Sequence, residues 1–463
     1  MVKAVVGDEA QIKAFEEALS SSSPQAQVGL VVGKLSASSD RALVYSLLPT
    51  PPTDADAPAC SLRAAPKSNK PTKGKGSDAS LEFDVDWIAE HARQVSRMLL
   101  GGMSVIGIYV WASEASFKAT SPAVLSQVIR AVSHACYGGD FGERLLIHIS
   151  YSPRRWACRI CEIASGSLRP CDFKYSKLLA SLQTFKCTYN FDIRFTDVQD
   201  GPFKKIILKA INHLTEEVET ARALVDGDMF SEDMNISTKG PHRVDFLVPF
   251  KNAVPVEECS LDGVAGLLRF VGSVSALAYL GPKESVSEAI SDLKLDIITS
   301  LRSRLDIILD EEDGDSTTND LEKLPSQKAT QTTFHQLREP FSFSFPRRVL
   351  IPWLAGACVC DYLQQSETME CAMERCKEII SLETAADSSS ILEAESEEAS
   401  ATFESFWDLV PGAPLRVPAR SSTEDGRKDG SSRWQRGNLN ILAVLFALVI
   451  AVIVGFVITF SAS

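Results

Sequence analysis

The chain has 463 residues, of which 45% are hydrophobic and 23% charged. These are the proportions of an ordinary globular protein with room for two or three folded units. Lys and Arg number 47 against 60 Asp and Glu, a formal net charge of −13, which excludes a broad nucleic-acid binder, because that surface must be basic to displace phosphate counterions. The eleven cysteines are odd in number and scattered. The N-terminus carries Asp8, Glu9, Glu16 and Glu17 and no apolar core of a signal peptide, so the bulk of the chain is expected in the cytosol with reduced thiols.

In chain order, Glu9–Leu19 is a candidate helix, and Val28–Gly33 and Arg41–Leu48 read as a hairpin. Residues 49–80, rich in Pro, Ala, Ser and Lys, read as a disordered loop. A helix follows, capped by Asp84 or Asp86, with Trp87, Ile88, Ala92, Val95, Met98 and Leu99 at helical spacing and Gly101-Gly102 as its stop. Met103–Trp111 is an apolar strand, Ser121-Pro122 opens another helix, and Leu145–Ser150 and Trp156–Ile163 are strands joined around Ser152-Pro153. From Phe185 to Phe195, apolar and polar residues alternate over eleven positions, the pattern of an antiparallel strand with one dry face. Phe203–Val225 reads as an amphipathic helix ended by Gly227.

These elements suggest a first α+β domain over residues 1–227 and a second over 241–382. The second holds strands at Val244–Phe250, Leu267–Leu280, Arg347–Ile351 and Ala357–Tyr362, a long helix after Pro282, and a helix at Glu367–Leu382. Residues 383–437 read as an acidic, then basic, flexible tether. Residues 310–410 hold 21 acids and 7 bases, so this stretch accounts for the acidity of the whole chain.

From Leu439 to Phe460 there are 22 residues without a charge. As a helix they span roughly 33 Å, enough for a hydrocarbon core of about 30 Å. Arg427, Lys428, Arg433 and Arg436 precede the run and nothing basic follows it. Basic flanks stay cytosolic, so a tail-anchored, single-pass protein of the endoplasmic reticulum membrane is expected, with only a short luminal end. The glycosylation triplet at Asn235 would then face away from the lumen.

Chemistry is sparse. Cys158 and Cys161 have the spacing of a metal knuckle, but residues three apart on a strand face opposite ways, and no second pair stands at a matching distance. His148 lies in a strand without a partner at a telling spacing. The phosphate-loop, HExxH and GxSxG patterns are missing. Neither catalysis, a metal nor a cofactor is expected. One apolar island interrupts the acidic stretch at Phe403–Val410. Within it Trp407-Asp408-Leu409-Val410 matches an aromatic-x-x-aliphatic core that docks as an added strand on ubiquitin-like autophagy modifiers, with Phe406 and Leu409 as further candidate contacts beside Trp407 and Val410. A helical fragment folding back on the domain, or a juxtamembrane anchor, would give the same pattern.

The run Glu90-His91-Ala92-Arg93-Gln94-Val95-Ser96-Arg97-Met98-Leu99-Leu100-Gly101-Gly102 closely resembles the odorant-response-abnormal protein four family, with His91, Arg93, Gln94, Arg97, Gly101 and Gly102 as its distinctive residues. Arg169–Tyr175, Arg347–Pro352 and Cys360-Asp361-Tyr362 are similar to that family as well. The resemblance implies a non-enzymatic membrane protein of the endoplasmic reticulum that recruits the ubiquitin-fold-modifier-specific protease. It also implies, as an alternative, a trafficking factor for multipass receptors; a divergent hydrolase is a third possibility. It further implies an N-terminal mixed sheet like that of zinc-dependent deubiquitinases and their inactive scaffold relatives. There, Val110 and Ala112 would stand where the zinc-binding histidines belong.

Overall fold

The computed structural model describes residues 2–405, apart from 23, 37–39, 64–78, 137–141, 196–202, 232–239, 249–265, 315–340, 383–390, 394, 396 and 397. The first half comprises β1 (Ala4–Asp8), α1 (Glu9–Ser22), β2 (Gln27–Ser36), β3 (Arg41–Pro49), β4 (Cys60–Leu62), β5 (Leu81–Phe83), α2 (Val85–Met98), β6 (Ser104–Ala112), α3 (Glu114–Ala119), α4 (Pro122–Ala135), β7 (Glu143–Tyr151), β8 (Arg154–Glu162) and β9 (Leu168–Ser176). It continues with β10 (Gln183–Phe195), α5 (Phe203–Thr220), β11 (Arg222–Val225), β12 (Asp228–Met229), β13 (His242–Leu247), β14 (Gly266–Leu280), α6 (Val286–Gly314), β15 (Phe341–Ser344), β16 (Arg347–Leu354), β17 (Ala357–Leu363), α7 (Met369–Ile380), β18 (Leu392–Glu393) and β19 (Ser400–Ser405). The class is α+β.

Seven strands close into a barrel in the order β1-β3-β2-β6-β7-β8-β9. The sheet is mixed: β1 runs parallel to both β3 and β9, β6 parallel to β7, and the remaining pairs are antiparallel. Residues alternate between two clusters because successive strand side chains point to opposite faces. Val31, Tyr109, Ile147 and Ile160 pack with Ile12 and Leu19 of α1, whereas Leu30, Ile108, Val110 and Leu146 pack under α2 and α4. Neither β1 nor β9 is anticipated from the sequence, and both are needed for closure. Part of the expected 49–80 loop is ordered, since Cys60–Leu62 pairs with Leu81–Phe83 and buries Ala59 and Cys60.

A second sheet has the order β12-β11-β13-β10-β14-β19-β15. The alternating strand predicted at Phe185–Phe195 is its centre, with Phe185, Cys187, Tyr189, Phe191 and Ile193 buried against α5 and α6. It pairs with β14 over thirteen residues, from Gln183–Leu280 to Phe195–Leu268. The sheets therefore divide between Ser176 and Gln183, not near residues 227–241. The helix expected to reach Val225 stops at Thr220, because Arg222–Val225 pairs with β13.

The chain then returns. The β16–β17 hairpin, α7 and Ile391 join the cluster under α2, so this segment completes the first core rather than a separate second domain. Nor does the flexible tether begin at 383. Ser400–Ser405 is inserted between β14 and β15, with Ala399 and Ala401 fully buried. Among the described residues no helix is long and apolar enough to cross a membrane. Residues 439–460, the Asn235 triplet, Phe406, Trp407, Leu409 and Val410, and Arg427, Lys428, Arg433 and Arg436 lie outside the described residues.

Candidate functional site

The family-like run at residues 90–102 is split by the helix it forms into a wet face, a dry face and a turn. Asp84 caps α2 by accepting the Trp87 N–H at 3.1 Å, which satisfies one of the free donors of the first turn. The Trp87 indole N–H donates to Pro51 O at 2.9 Å and ties the helix to the end of β3. Ile88, His91, Ala92, Val95 and Met98 are buried. Glu90, Arg93, Gln94 and Arg97 instead line a groove of about 610 Å³ between α2 and the β17–α7 segment.

On the helix wall the Arg93 guanidinium grips Glu90 through two bonds of 2.9 and 2.8 Å, and Gln94 donates to the same carboxylate at 2.9 Å. Its bond with Arg93, against a smaller opposing effect of burial, holds the Glu90 carboxyl below the usual range. On the opposite wall Arg375 of α7 donates to Asp361 at 2.8 Å, to Glu367, and to the Tyr362 carbonyl at 3.1 Å. Burial disfavours the Arg375 charge, but Glu367 and Asp361 outweigh it and keep the group firmly protonated. Tyr362 and Ile307 add apolar surface. With Asp54 and Glu378, the lining carries three arginines and five carboxylates.

His91 closes the groove floor as a pin. Its Nε2 lies 2.8 Å from Ile379 O, and its Nδ1 lies 3.2 Å from Thr50 Oγ1. A carbonyl can only accept, so Nε2 carries the proton and Nδ1 accepts from the threonine hydroxyl. Burial takes its pKa down to about 4, leaving a neutral imidazole that joins α2 to α7. The Gly-Gly end of the run is a second joint. Gly101 and Gly102 have φ of +71° and +81°, a region that costs residues with a Cβ. A Cβ on Gly101 would lie 2.3 Å from the Tyr279 ring, and one on Gly102 2.4 Å from the Asp292 carboxylate. The Gly101 carbonyl accepts the Tyr279 N–H at 3.0 Å, so this turn lies flat on the second sheet.

The other half of the groove was not anticipated from the sequence. In the sequence Asp361 and Tyr362 stand out only through the family resemblance, and nothing local to Arg375 or Glu367 marks a site. The segment Arg347–Pro352 also finds a reason. Arg348 is buried and makes a two-pronged pair with Asp296 of α6 at 2.8 and 2.9 Å. Its own N–H donates to Glu395, which also pairs with Arg304.

Elsewhere, Val110 and Ala112 are fully buried in β6. His148 on the neighbouring strand stacks on Phe117 at 3.8 Å, with Nε2 3.3 Å from Ala112 O, and burial lowers its pKa to about 4. Among the described residues no group of three or more His, Cys, Asp or Glu is placed to hold a metal ion. Cys158 and Cys161 lie in different clusters on opposite faces of β8.

The comparison with solved structures includes the crystal structure of UfSP from C. elegans, at a TM-score of 0.38 and 9% identity, covering 82% of this chain and 57% of that one. Among curated proteins, the human "Protein odr-4 homolog" is 25% identical over 433 residues, covering 84% of this chain and 87% of its own. The Dictyostelium discoideum homolog is 23% identical over 365 residues, covering 74% and 73%. The family model described as "Odorant response abnormal 4-like" matches residues 29–391, a span that runs from β2 to the edge of β18 and takes in both walls of the groove. The chain therefore belongs to the odorant response abnormal 4-like family.

Proposed function

We propose that this protein is a non-catalytic adaptor of the endoplasmic reticulum membrane, anchored by residues 439–460, whose cytosolic part recruits the ubiquitin-fold-modifier-specific protease through the α2–α7 groove. One observation carries the choice of surface. The helix that bears the family-like run spends His91 and its glycines on holding the fold, yet presents Glu90, Arg93, Gln94 and Arg97 along a groove. Charged side chains around an apolar floor suit a protein partner better than a small substrate, because charge pattern sets partner choice and encounter rate. The barrel is, on this reading, a degenerate metalloprotease-like sheet in which Val110 and Ala112 have replaced the ligands. Trp407 and Val410 would add a separate linear motif for a ubiquitin-like autophagy modifier.

Pull-down of the protease by the chain lacking residues 438–463 tests the adaptor role. Arg93→Glu with Arg97→Glu should abolish capture while the far-ultraviolet dichroism stays unchanged. Undiminished capture by the double variant would remove the groove from the proposal. Recovery of multipass receptors without the protease would favour the trafficking role instead.

A further inference from the structure

The cysteine pair that sequence spacing singles out, Cys158 and Cys161, is separated by the strand itself. The pair that the fold creates is a different one. In the β8–β9 ribbon Cys158 stands directly opposite Cys171. Opposed residues of an antiparallel pair have Cα atoms about 4.5 or 5.5 Å apart, and both spacings fall inside the range that a disulfide spans. The two thiols share a face, because Cys158 belongs to the barrel cluster and Cys171 packs against it. Next to them on the same face, Trp156 and Phe173 are in ring contact at 5.5 Å, so the ribbon draws side chains together here.

The two sulfurs are unequal. Cys158 is 6% exposed, whereas Cys171 is half-buried and reachable. The Cys158 thiol beside it, helped by Arg169 and opposed by burial, pulls the Cys171 pKa below that of a free thiol. The same proximity, reinforced by burial, pushes Cys158 upward. One member is thus the more readily ionised and the more accessible thiol, and the other is a buried thiol held at its side. This is the arrangement of a reactive and a resolving cysteine.

We infer that Cys158 and Cys171 form a cross-strand dithiol that hydroperoxides oxidise reversibly to a disulfide. The Cys171 thiolate attacks one peroxide oxygen; the O–O bond breaks, the other oxygen leaves and takes a proton as water, and Cys171 becomes a sulfenic acid. Cys158 sulfur then attacks the Cys171 sulfur, the S–O bond breaks, and a second water leaves with the Cys158 proton. Two thiols and one hydrogen peroxide give one disulfide and two waters, the sulfurs losing the two electrons that the peroxide gains. The link would staple β9, which closes the barrel through its parallel pairing with β1.

The full chain in detergent, treated with equimolar hydrogen peroxide at neutral pH and then alkylated and peptide-mapped, tests this. The expected result is a Cys158–Cys171 linked peptide, loss of two of the eleven thiols, and recovery of both with dithiothreitol. Cys161→Ser should leave the link intact. Cys158→Ser should stop the reaction at a Cys171 sulfenic acid that dimedone traps. Oxidation of other cysteines while the peptides bearing Cys158 and Cys171 stay reduced would overturn the inference. So would a link that forms equally fast in urea, since the selectivity would then owe nothing to the fold.

Discussion

Two sets of arginine–carboxylate pairs meet at Tyr362, one dry and one wet. On one side the Tyr362 ring lies beneath Arg304 and Arg348, at 5.6 and 5.9 Å. These pair with Glu395 and Asp296, and all four charged side chains are at most 3% exposed. On the other side Tyr362 lines the groove, where Arg375 is 32% exposed and its partners Asp361 and Glu367 are 13% and 25% exposed. The residue types are alike and the consequences differ. In the dry cluster every charge has given up water, so each depends on its partner; the carboxylates also take the N–H groups of Leu277, Ser275 and Arg348, and the Arg348 guanidinium donates to the Ser275 carbonyl. In the wet cluster water competes with each pair, so the pairs add little stability but keep their charges available at a surface. The first set welds α6, β14, β16 and the Glu395 segment together; the second forms a face that can be recognised.

The most direct way to break this comparison is to remove one dry partner. Asp296→Ala should cost about 3–5 kcal/mol, because it strands the Arg348 charge in the interior. Urea unfolding of the chain lacking residues 438–463 reads this, and a loss below about 1 kcal/mol would put the cluster in the same class as a surface pair. A double change, Asp296→Leu with Arg348→Met, should recover much of the loss, since an apolar pair of similar volume needs no hydration.

Next in size is the joint between the groove helix and the second sheet. Gly101→Ala combines left-handed backbone strain with contact against Tyr279 and should cost about 2–3 kcal/mol. An unchanged thermal midpoint would show that the turn can move off Tyr279.

Acid probes the pin under the groove. In the folded chain the His91 pKa is about 4, against 6.5 for an ordinary histidine. The unfolded chain therefore binds the proton more readily at intermediate pH. Stability is complete above pH 6.5, falls as pH drops toward 4, and levels off below that. The loss attributable to His91 is about 2 kcal/mol by pH 5, and His148, with the same shift, adds to it. Unfolding curves taken between neutral pH and pH 5 should show this slope, and His91→Gln should remove about half of it, leaving the His148 share.

The smallest effect on stability belongs to the wet wall. Arg93→Ala removes a half-exposed pair with Glu90 and should change stability by less than about 1 kcal/mol, while weakening capture of the protease at least tenfold. A large fall in stability would mean that the groove is part of the weld rather than a surface.

Much of the secondary structure was legible because it is written in short-range pattern. The alternation from Phe185 to Phe195 and the helical spacing of Ile88, Ala92 and Val95 each follow from which face is dry. β9 was not legible because none of its residues is buried, it contains Pro170, and its pairing with β1 lies more than 160 residues away. The groove was legible on one wall only: α2 carries a recognisable run, while Asp361, Glu367 and Arg375 become a wall through packing against a helix some 270 residues earlier.

The short-range pattern in this chain was enough to assign the class and most of the dry faces, because each rests on residues that are neighbours along the chain. Glu395 marks the point where that reasoning ends. Among the acids of residues 383–410 it is indistinguishable from a solvated charge of a tether. It is instead 2% exposed, because Arg304 and the Arg348 backbone reach it across 91 and 47 residues. Whether a charge is solvated or buried depends on a partner that no local pattern contains, and the same holds for Cys158, whose neighbour in space is Cys171 and not Cys161.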